Sequence, residues 1–366
     1  EYGLIKSINE ISLPENKPLS FIAPGLIDLQ VNGYKGVDFN SSCLQSTDVL
    51  AITSSLLEQG VTTYFPTVIT NTSENIRRSL MAIDKSCIEH EMIRSCIGGI
   101  HLEGPFISLQ EGPVGAHDKR QVKPPDWKLF LDFYHASGER IKIITLSPEW
   151  PETADFTRHC TQLGVIVSIG HTAATQKQIN EVVSAGAVMS THLGNATHQI
   201  LPRHPNYIWD QLADDRLSAS FISDGFHLPN SVIKIILKVK GDKSILVSDS
   251  VSLAGLEAGS YNTPVGGRVT LTAEGKLHLE GKEAVLAGSA KTLIQAVEYL
   301  YQQKLLSLAD AWKQASIHPA YLLNTPHRNG ILEGAPADLV LFNVKDNSIG
   351  IADTYKNGKK IKKQDK

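Results

Sequence analysis

Short apolar, β-branched runs recur along the chain, each followed by a longer segment in which hydrophobic positions return at helical spacing. Eight runs stand out: LIDLQVNG (26–33), TTYFPTVI (62–69), CIGGIHLEG (96–104), IKIITLSPE (141–149), VIVSIGHT (165–172), AVMSTHLGN (187–195), SASFISDG (218–225) and SILVSDS (244–250). Helical patterns lie between them at 46–59, 73–88, 153–163, 175–185 and 230–239, and two more follow at 289–303 and 308–323. This alternation predicts parallel βα units, and eight such runs over about 225 residues predict a (β/α)8 TIM-like barrel. A doubly wound open sheet is the alternative. It calls for a glycine-rich phosphate turn after the first strand, and NGYKG (32–36) is not GxGxxG.

The remaining segments alternate differently. GGRVTLTAEGKLHLEG (266–281) predicts a hairpin turning at AEGK, and GAPADLVLFN followed by TYKNGKKI predicts strands around another turn with no helix between them. The expected organisation is a small β-sandwich domain from residues 1–22 and 331–366, and a barrel over 23–330 that carries a β-hairpin insertion near 266–281. The chain starts at Glu1 in what reads as mid-strand, so native residues are expected before it.

Composition narrows the class. With 366 residues, 42% hydrophobic and 20% charged, the chain can bury a large core. A formal charge of −3 leaves only the tail KNGKKIKKQDK basic, which reads as a solvated terminus, so neither nucleic acid nor membrane is an expected partner. Cys43, Cys87, Cys96 and Cys160 lie far apart without a CxxC, which argues against a disulfide scaffold or a thiolate zinc site and points to a reducing cytoplasm. No run approaches the roughly 18 apolar residues of a membrane span, and the first 30 residues lack a signal-peptide pattern.

Candidate chemistry collects at the C-terminal ends of the predicted strands, the face on which barrel enzymes build their sites. Glu103 closes the third strand, His171 the fifth, His192 the sixth and Asp249 the eighth. Singly, each is an ordinary polar residue at a strand end. Together, a carboxylate and two imidazoles supply three ligands for one divalent metal and leave a position open for water. Such a donor set suits zinc, Fe(II), manganese or cobalt, with zinc the first expectation.

The ordered series IAPGLIDLQVNG, GIHLEGPFIS, GAHD, SIGHT, THLGNAT, ISDGFH, LVSDS, LAGSA and GAPADLVLF, from about residue 22 to 358, resembles that of the N-acetylglucosamine-6-phosphate deacetylases of the amidohydrolase superfamily. The resemblance implies that Glu103, His171 and His192 hold the metal, that Asp249 is the general acid/base, and that His117 polarises the acetyl carbonyl. It further implies substrate contacts from Ala116, Asn195, Ala196 and His227, and from Arg203 reaching a phosphate across a homodimer contact, with His204 a neighbouring candidate. The implied reaction is hydrolysis of the acetamide of N-acetylglucosamine 6-phosphate to glucosamine 6-phosphate and acetate. Alternatives are deacetylation of N-acetylgalactosamine 6-phosphate or of a non-phosphorylated N-acetylhexosamine, another amidohydrolase activity on an acylamino sugar or N-acylated amino acid, or sugar-phosphate binding without turnover.

Departures from the family pattern are informative. Where many amidohydrolases end the first strand with HxH and bind a second metal, this chain has Gln30 and Asn32. Neutral amides are poor zinc ligands, so one ion is expected, with Gln30 and Asn32 hydrogen-bonding in the barrel floor or to substrate. THLGNAT places Gly194 where an aromatic residue is usual, Ser250 follows Asp249 where alanine is common, and the Glu103–His117 segment departs from its usual pattern, which bears on the sugar pocket rather than on the reaction. Asp224 of DGFH is the next acid/base candidate, though a structural hydrogen bond is its expected role. Gly104 and Pro105 shape the turn after Glu103.

Overall fold

The computed structural model describes residues 2–10, 20–263 and 267–362. Among them, eight parallel strands lie side by side: Leu26–Val31, Val61–Ile69, Ile100–Glu103, Ile141–Leu146, Ile166–Ile169, Met189–Ser190, Ser218–Ile222 and Ser244–Val247. A bridge between Val31 and Ser250 brings the last strand back to the first. Each predicted run thus coincides with one barrel strand, the second strand starting one residue early at Val61. The runs are almost wholly buried, as strands covered on both faces must be, which is why they read as continuous apolar stretches.

Two-residue alternation divides each strand between the barrel interior and the helical shell. Phe65, Ile143, Met189, Ile245 and Val247 form a compact cluster separate from the main core. Ile143 shares its face with Thr145, which belongs to a buried polar chain: His101 Nε2 to Thr145 Oγ1 at 2.7 Å, Thr145 to Thr191 at 2.7 Å and Thr191 to Ser168 at 2.6 Å. The larger core lies between strands and helices, where Leu56, Leu80, Phe130, Phe156, Ile233 and Leu300 are packed.

The helices Ser46–Glu58, Ser73–Glu89, Thr153–Gln162, Gln176–Ser184, Asn230–Lys240 and Leu293–Gln302 occupy the expected segments. Thr175 with Gln178, and Thr292 with Gln295, close capping boxes that satisfy first-turn amides. The single helix expected at 308–323 is instead two, Leu308–Gln314 and Ile317–Leu322. Pro319 explains the break, because a residue without an amide hydrogen fits the first turn of a helix and not its interior. Trp127–Ala136, capped by Asp126, and Tyr207–Ala213, capped by Asn206, are further helices that the periodicity did not reveal.

Phe21–Pro24, Leu339–Lys345, Ser348–Lys356 and Lys359–Lys360 form a four-stranded antiparallel sheet from both chain ends. Its inner face lies on the helices Ser46–Glu58 and Leu293–Gln302, so the layer that it packs against is helical. Residues 11–19 of the stretch assigned to this domain, and the last four of the basic tail, lie outside the described residues. The hairpin expected near 266–281 is the centre of a second four-stranded sheet: Gly259–Thr263, Gly267–Leu271, Leu277–Leu279 and Lys282–Leu286. The two outer strands are mostly exposed and carry no apolar alternation, so the pattern missed them. No helix among the described residues is long and apolar enough to cross a membrane.

Candidate active site

Three of the four strand-end residues sit where the backbone turns through the left-handed region: His171 at φ +49°, His192 at φ +28° and Asp249 at φ +47°. Each lies two residues past its strand. Such conformations cost about 1–2 kcal/mol for an L-residue and collect at functional sites. Here they turn the side chains back over the barrel mouth.

His192 Nε2 stands 3.0 Å from Glu103 Oε1, His171 Nε2 is 3.2 Å from the same oxygen, and the two Nε2 atoms are 3.2 Å apart. All three residues are buried, with donor atoms converging on one point. His171 Nδ1 donates to the Pro113 carbonyl at 2.9 Å, which turns Nε2 inward toward Glu103 and His192. Burial acts to raise the Glu103 pKa, but the two imidazoles hold it well below the usual carboxylate range, so the group is an anion. One carboxylate oxygen and two imidazole nitrogens at these separations fit a small divalent ion with ligand distances of about 2.0–2.2 Å. The geometry therefore supports a metal at this point.

The amides of the first strand serve the carboxylates. Gln30 Nε2 donates to Glu103 Oε1 at 2.9 Å, and Asn32 Nδ2 donates to Asp249 Oδ1 at 2.7 Å. Gln30 stands behind Glu103 and does not line the cavity, whereas Asn32 does. Asp249 is pushed up to about 6 by burial and by the charge of Glu103, against the opposing pull of His192, His227 and Asn32. A carboxyl poised there can both take and return a proton near neutral pH. His117 packs edge-on against His171 at 4.4 Å between ring centroids, and burial together with His171 pushes it down to about 3, so its ring is neutral. Its buried Nδ1 has no hydrogen-bond partner among the described residues.

Asp224 has the structural role expected of it. It accepts from the amides of Phe226 and His227 and pairs with His227 Nδ1 at 2.6 Å, which aims His227 toward the cavity. Burial raises its pKa, but the bonds from His227 and Phe226 outweigh that and lower it.

A cavity of about 470 Å³ opens over the triad. Ala116, His117, Asn195, Ala196, His227 and Asp249 line it, as do Gly194 and the unforeseen Asp38 and Asn40. Gly194 has φ +93°, and an added Cβ would meet Leu228 at 3.1 Å, so the backbone itself favours glycine there. The far wall also escaped sequence reasoning: it comes from Thr263, Leu277 and residues 284–288 of the inserted sheet. Arg203 and His204 are exposed and do not line the cavity, and no Lys or Arg does so among the described residues.

The model of the Amidohydrolase family matches residues 21–361. N-acetylglucosamine-6-phosphate deacetylase of Bos taurus is 32% identical over 351 residues, covering 93% of this chain and 83% of the relative. The enzyme of that name from Bacillus subtilis is 32% identical over 336 residues, with 91% and 82% covered. Crystal structures of N-acetylglucosamine-6-phosphate deacetylases from Pasteurella multocida and Thermotoga maritima superpose with TM-scores of 0.85 at 27% identity, covering 98% and 100% of this chain and 92% and 94% of theirs. With these similarities joined to the convergent carboxylate and imidazoles at the barrel mouth, the chain belongs to the amidohydrolase family, in its N-acetylglucosamine-6-phosphate deacetylase branch.

Proposed function

We propose that this chain hydrolyses the acetamide of N-acetylglucosamine 6-phosphate, releasing acetate and glucosamine 6-phosphate. The observation that carries the reading is the convergence of Glu103, His171 and His192 beside Asp249 in one cavity. A divalent ion held by those three residues, zinc being our assignment, supplies Lewis-acid activation of water and of the amide carbonyl. Asp249 takes the proton of the attacking water on Oδ2, while Asn32 holds Oδ1. The same carboxyl then delivers that proton to the departing nitrogen, so the amine leaves neutral. His117 donates to the carbonyl oxygen as it gains negative charge, a contribution worth about 100- to 1000-fold in rate for one such donor.

His227, Asn195, Ala196 and Ala116 position the sugar at the cavity wall. The phosphate needs a cation that the described lining residues do not provide. We assign that role to Arg203 from a second copy of the chain in a homodimer, since a guanidinium pairs its donors with phosphate oxygens. The free Cys43, Cys87, Cys96 and Cys160 support a cytoplasmic place of action.

Acetate release measured over a panel of phosphorylated and free N-acetylhexosamines tests this reading. The 6-phosphate of N-acetylglucosamine should show the highest kcat/KM. Preference for a free N-acetylhexosamine would overturn the phosphate assignment, and no acetate from any of them would overturn the activity.

A further inference from the structure

We propose that Glu149 is a positioning residue for this reaction: one carboxylate, outside the cavity, ties the loop that carries His117 to the loop that carries His171. The inference rests on the deacetylase reading for its kinetic part and on the metal site alone for the rest.

Glu149 follows the fourth barrel strand and is only partly exposed. Its Oε1 accepts from Gln110 Nε2 at 2.9 Å, in the loop that leads to His117. Its Oε2 accepts from the Ala173 amide at 2.9 Å and from Ser147 Oγ at 2.6 Å, with Thr172 Oγ1 at 3.5 Å. Ala173 and Thr172 directly follow His171, so the second oxygen fixes the chain exit of a residue that sits at positive φ. The two loops are stitched to each other as well. Ser108 donates its amide to the His171 carbonyl at 2.9 Å, and His171 Nδ1 donates to Pro113 at 2.9 Å. Trp150, next in sequence, bonds the Ile107 carbonyl through Nε1 at 3.1 Å.

Every group facing the carboxylate is a donor, and an ionised carboxylate is the side chain that offers acceptors only. A glutamine there would turn an NH2 toward one set of donors and release one of the two arms. The arms also have separable effects. Release of the Oε2 arm loosens the orientation of His171 toward the metal, whereas release of the Oε1 arm loosens His117 and leaves the metal ligands in place. Outer partners of metal ligands affect metal affinity or activity by about 10- to 100-fold when lost.

The test uses the full chain loaded with zinc. Zinc transfer to a chromogenic chelator is measured without substrate, alongside kcat and KM on N-acetylglucosamine 6-phosphate and melting of the metal-free protein. Glu149→Gln should lower kcat by about 10- to 100-fold, and should weaken zinc retention by a like factor when the arm it releases is that of Oε2, with KM and metal-free melting close to the parent. Gln110→Ala should lower kcat and spare zinc retention. Thr172→Val should weaken zinc retention. If Glu149→Gln does not fold, the two arm variants decide the matter. Zinc retention and kcat near the parent in Glu149→Gln would overturn the proposal, as would identical profiles for Gln110→Ala and Thr172→Val. Weakened zinc retention in a protein that releases no acetate from any N-acetylhexosamine would leave the clamp standing and remove the deacetylase reading instead.

Discussion

The two four-stranded antiparallel sheets are alike in size and pairing and opposite in what they touch. The sheet from the chain ends places Val340 and Phe342 in the main core, where Trp312 stacks on Phe342 at 4.5 Å and donates Nε1 to the Pro24 carbonyl at 2.8 Å. The inserted sheet keeps its own core of Leu253, Val269, Leu271, Leu277 and Ala290, and presents Thr263, Leu277 and residues 284–288 to the cavity. One sheet braces the barrel wall, and the other closes the site. The contrast shows that a cavity wall can be built on an element whose core is not shared with the barrel, while the convergent carboxylate and imidazoles stay on the barrel itself.

The sharpest test of that division removes a group that belongs to neither sheet. Asp249→Asn should keep the metal, fold and both sheets, yet lose about 10²- to 10⁴-fold in kcat. Turnover near the parent value would move the proton carrier elsewhere, and Asp224, already committed to His227, is poorly placed to take over.

Arg203→Ala should raise KM for the 6-phosphate substrate at least about tenfold, equivalent to about 1.4 kcal/mol, and barely change a non-phosphorylated analogue. Equal effects on both would break the idea that a second copy completes the site and would favour a non-phosphorylated N-acetyl sugar as substrate.

Leu277 is 2% exposed in the small core of the insert. Leu277→Ala should cost about 2–5 kcal/mol within that sheet, read as faster amide exchange across 259–263 and 267–286. It should raise KM by less than the Arg203 change does, with kcat and zinc retention preserved. A matching fall in the stability of the whole barrel would show that the two sheets are not independent.

The terminal sheet should have the smallest effect on turnover. Beneath it Asp338 accepts from Lys356 Nζ at 2.6 Å, His327 Nε2 at 2.8 Å and the Asn357 amide at 2.8 Å. Burial acts to raise the Asp338 pKa, but His327, Lys356 and Asn357 together lower it. A carboxyl depressed in the folded state contributes stability in full above its unfolded value of about 3.9 and loses it as pH falls through the lower folded value. The stability of the parent against denaturation should therefore fall below about pH 4, and Asp338→Asn should flatten that acid limb while leaving neutral-pH kinetics unchanged.

What the chain reveals on its own follows from how local each signal is. The eight strands are legible because a doubly covered strand must be apolar throughout, and Glu103, His171, His192 and Asp249 are legible because each interrupts or follows such a run at its C-terminal end. The mode of action of Gln30 and Asn32 was open between floor and substrate. Only the folded barrel places one against Glu103, 73 residues away, and the other against Asp249, 217 residues away. Glu149 carries the same strand-end signal in TLSPE, yet its meaning lies in Gln110 and Ala173, which reach it from 39 and 24 residues away. The insert wall was hidden by strands too exposed to show a period. Sequence alone determined the barrel, since burial on both faces writes its strands into residue type, and it marked the strand ends at which Glu103, His171 and His192 stand. The tertiary structure decided which polar groups meet, since hydrogen bonds across the barrel mouth depend on loop geometry that no local pattern encodes.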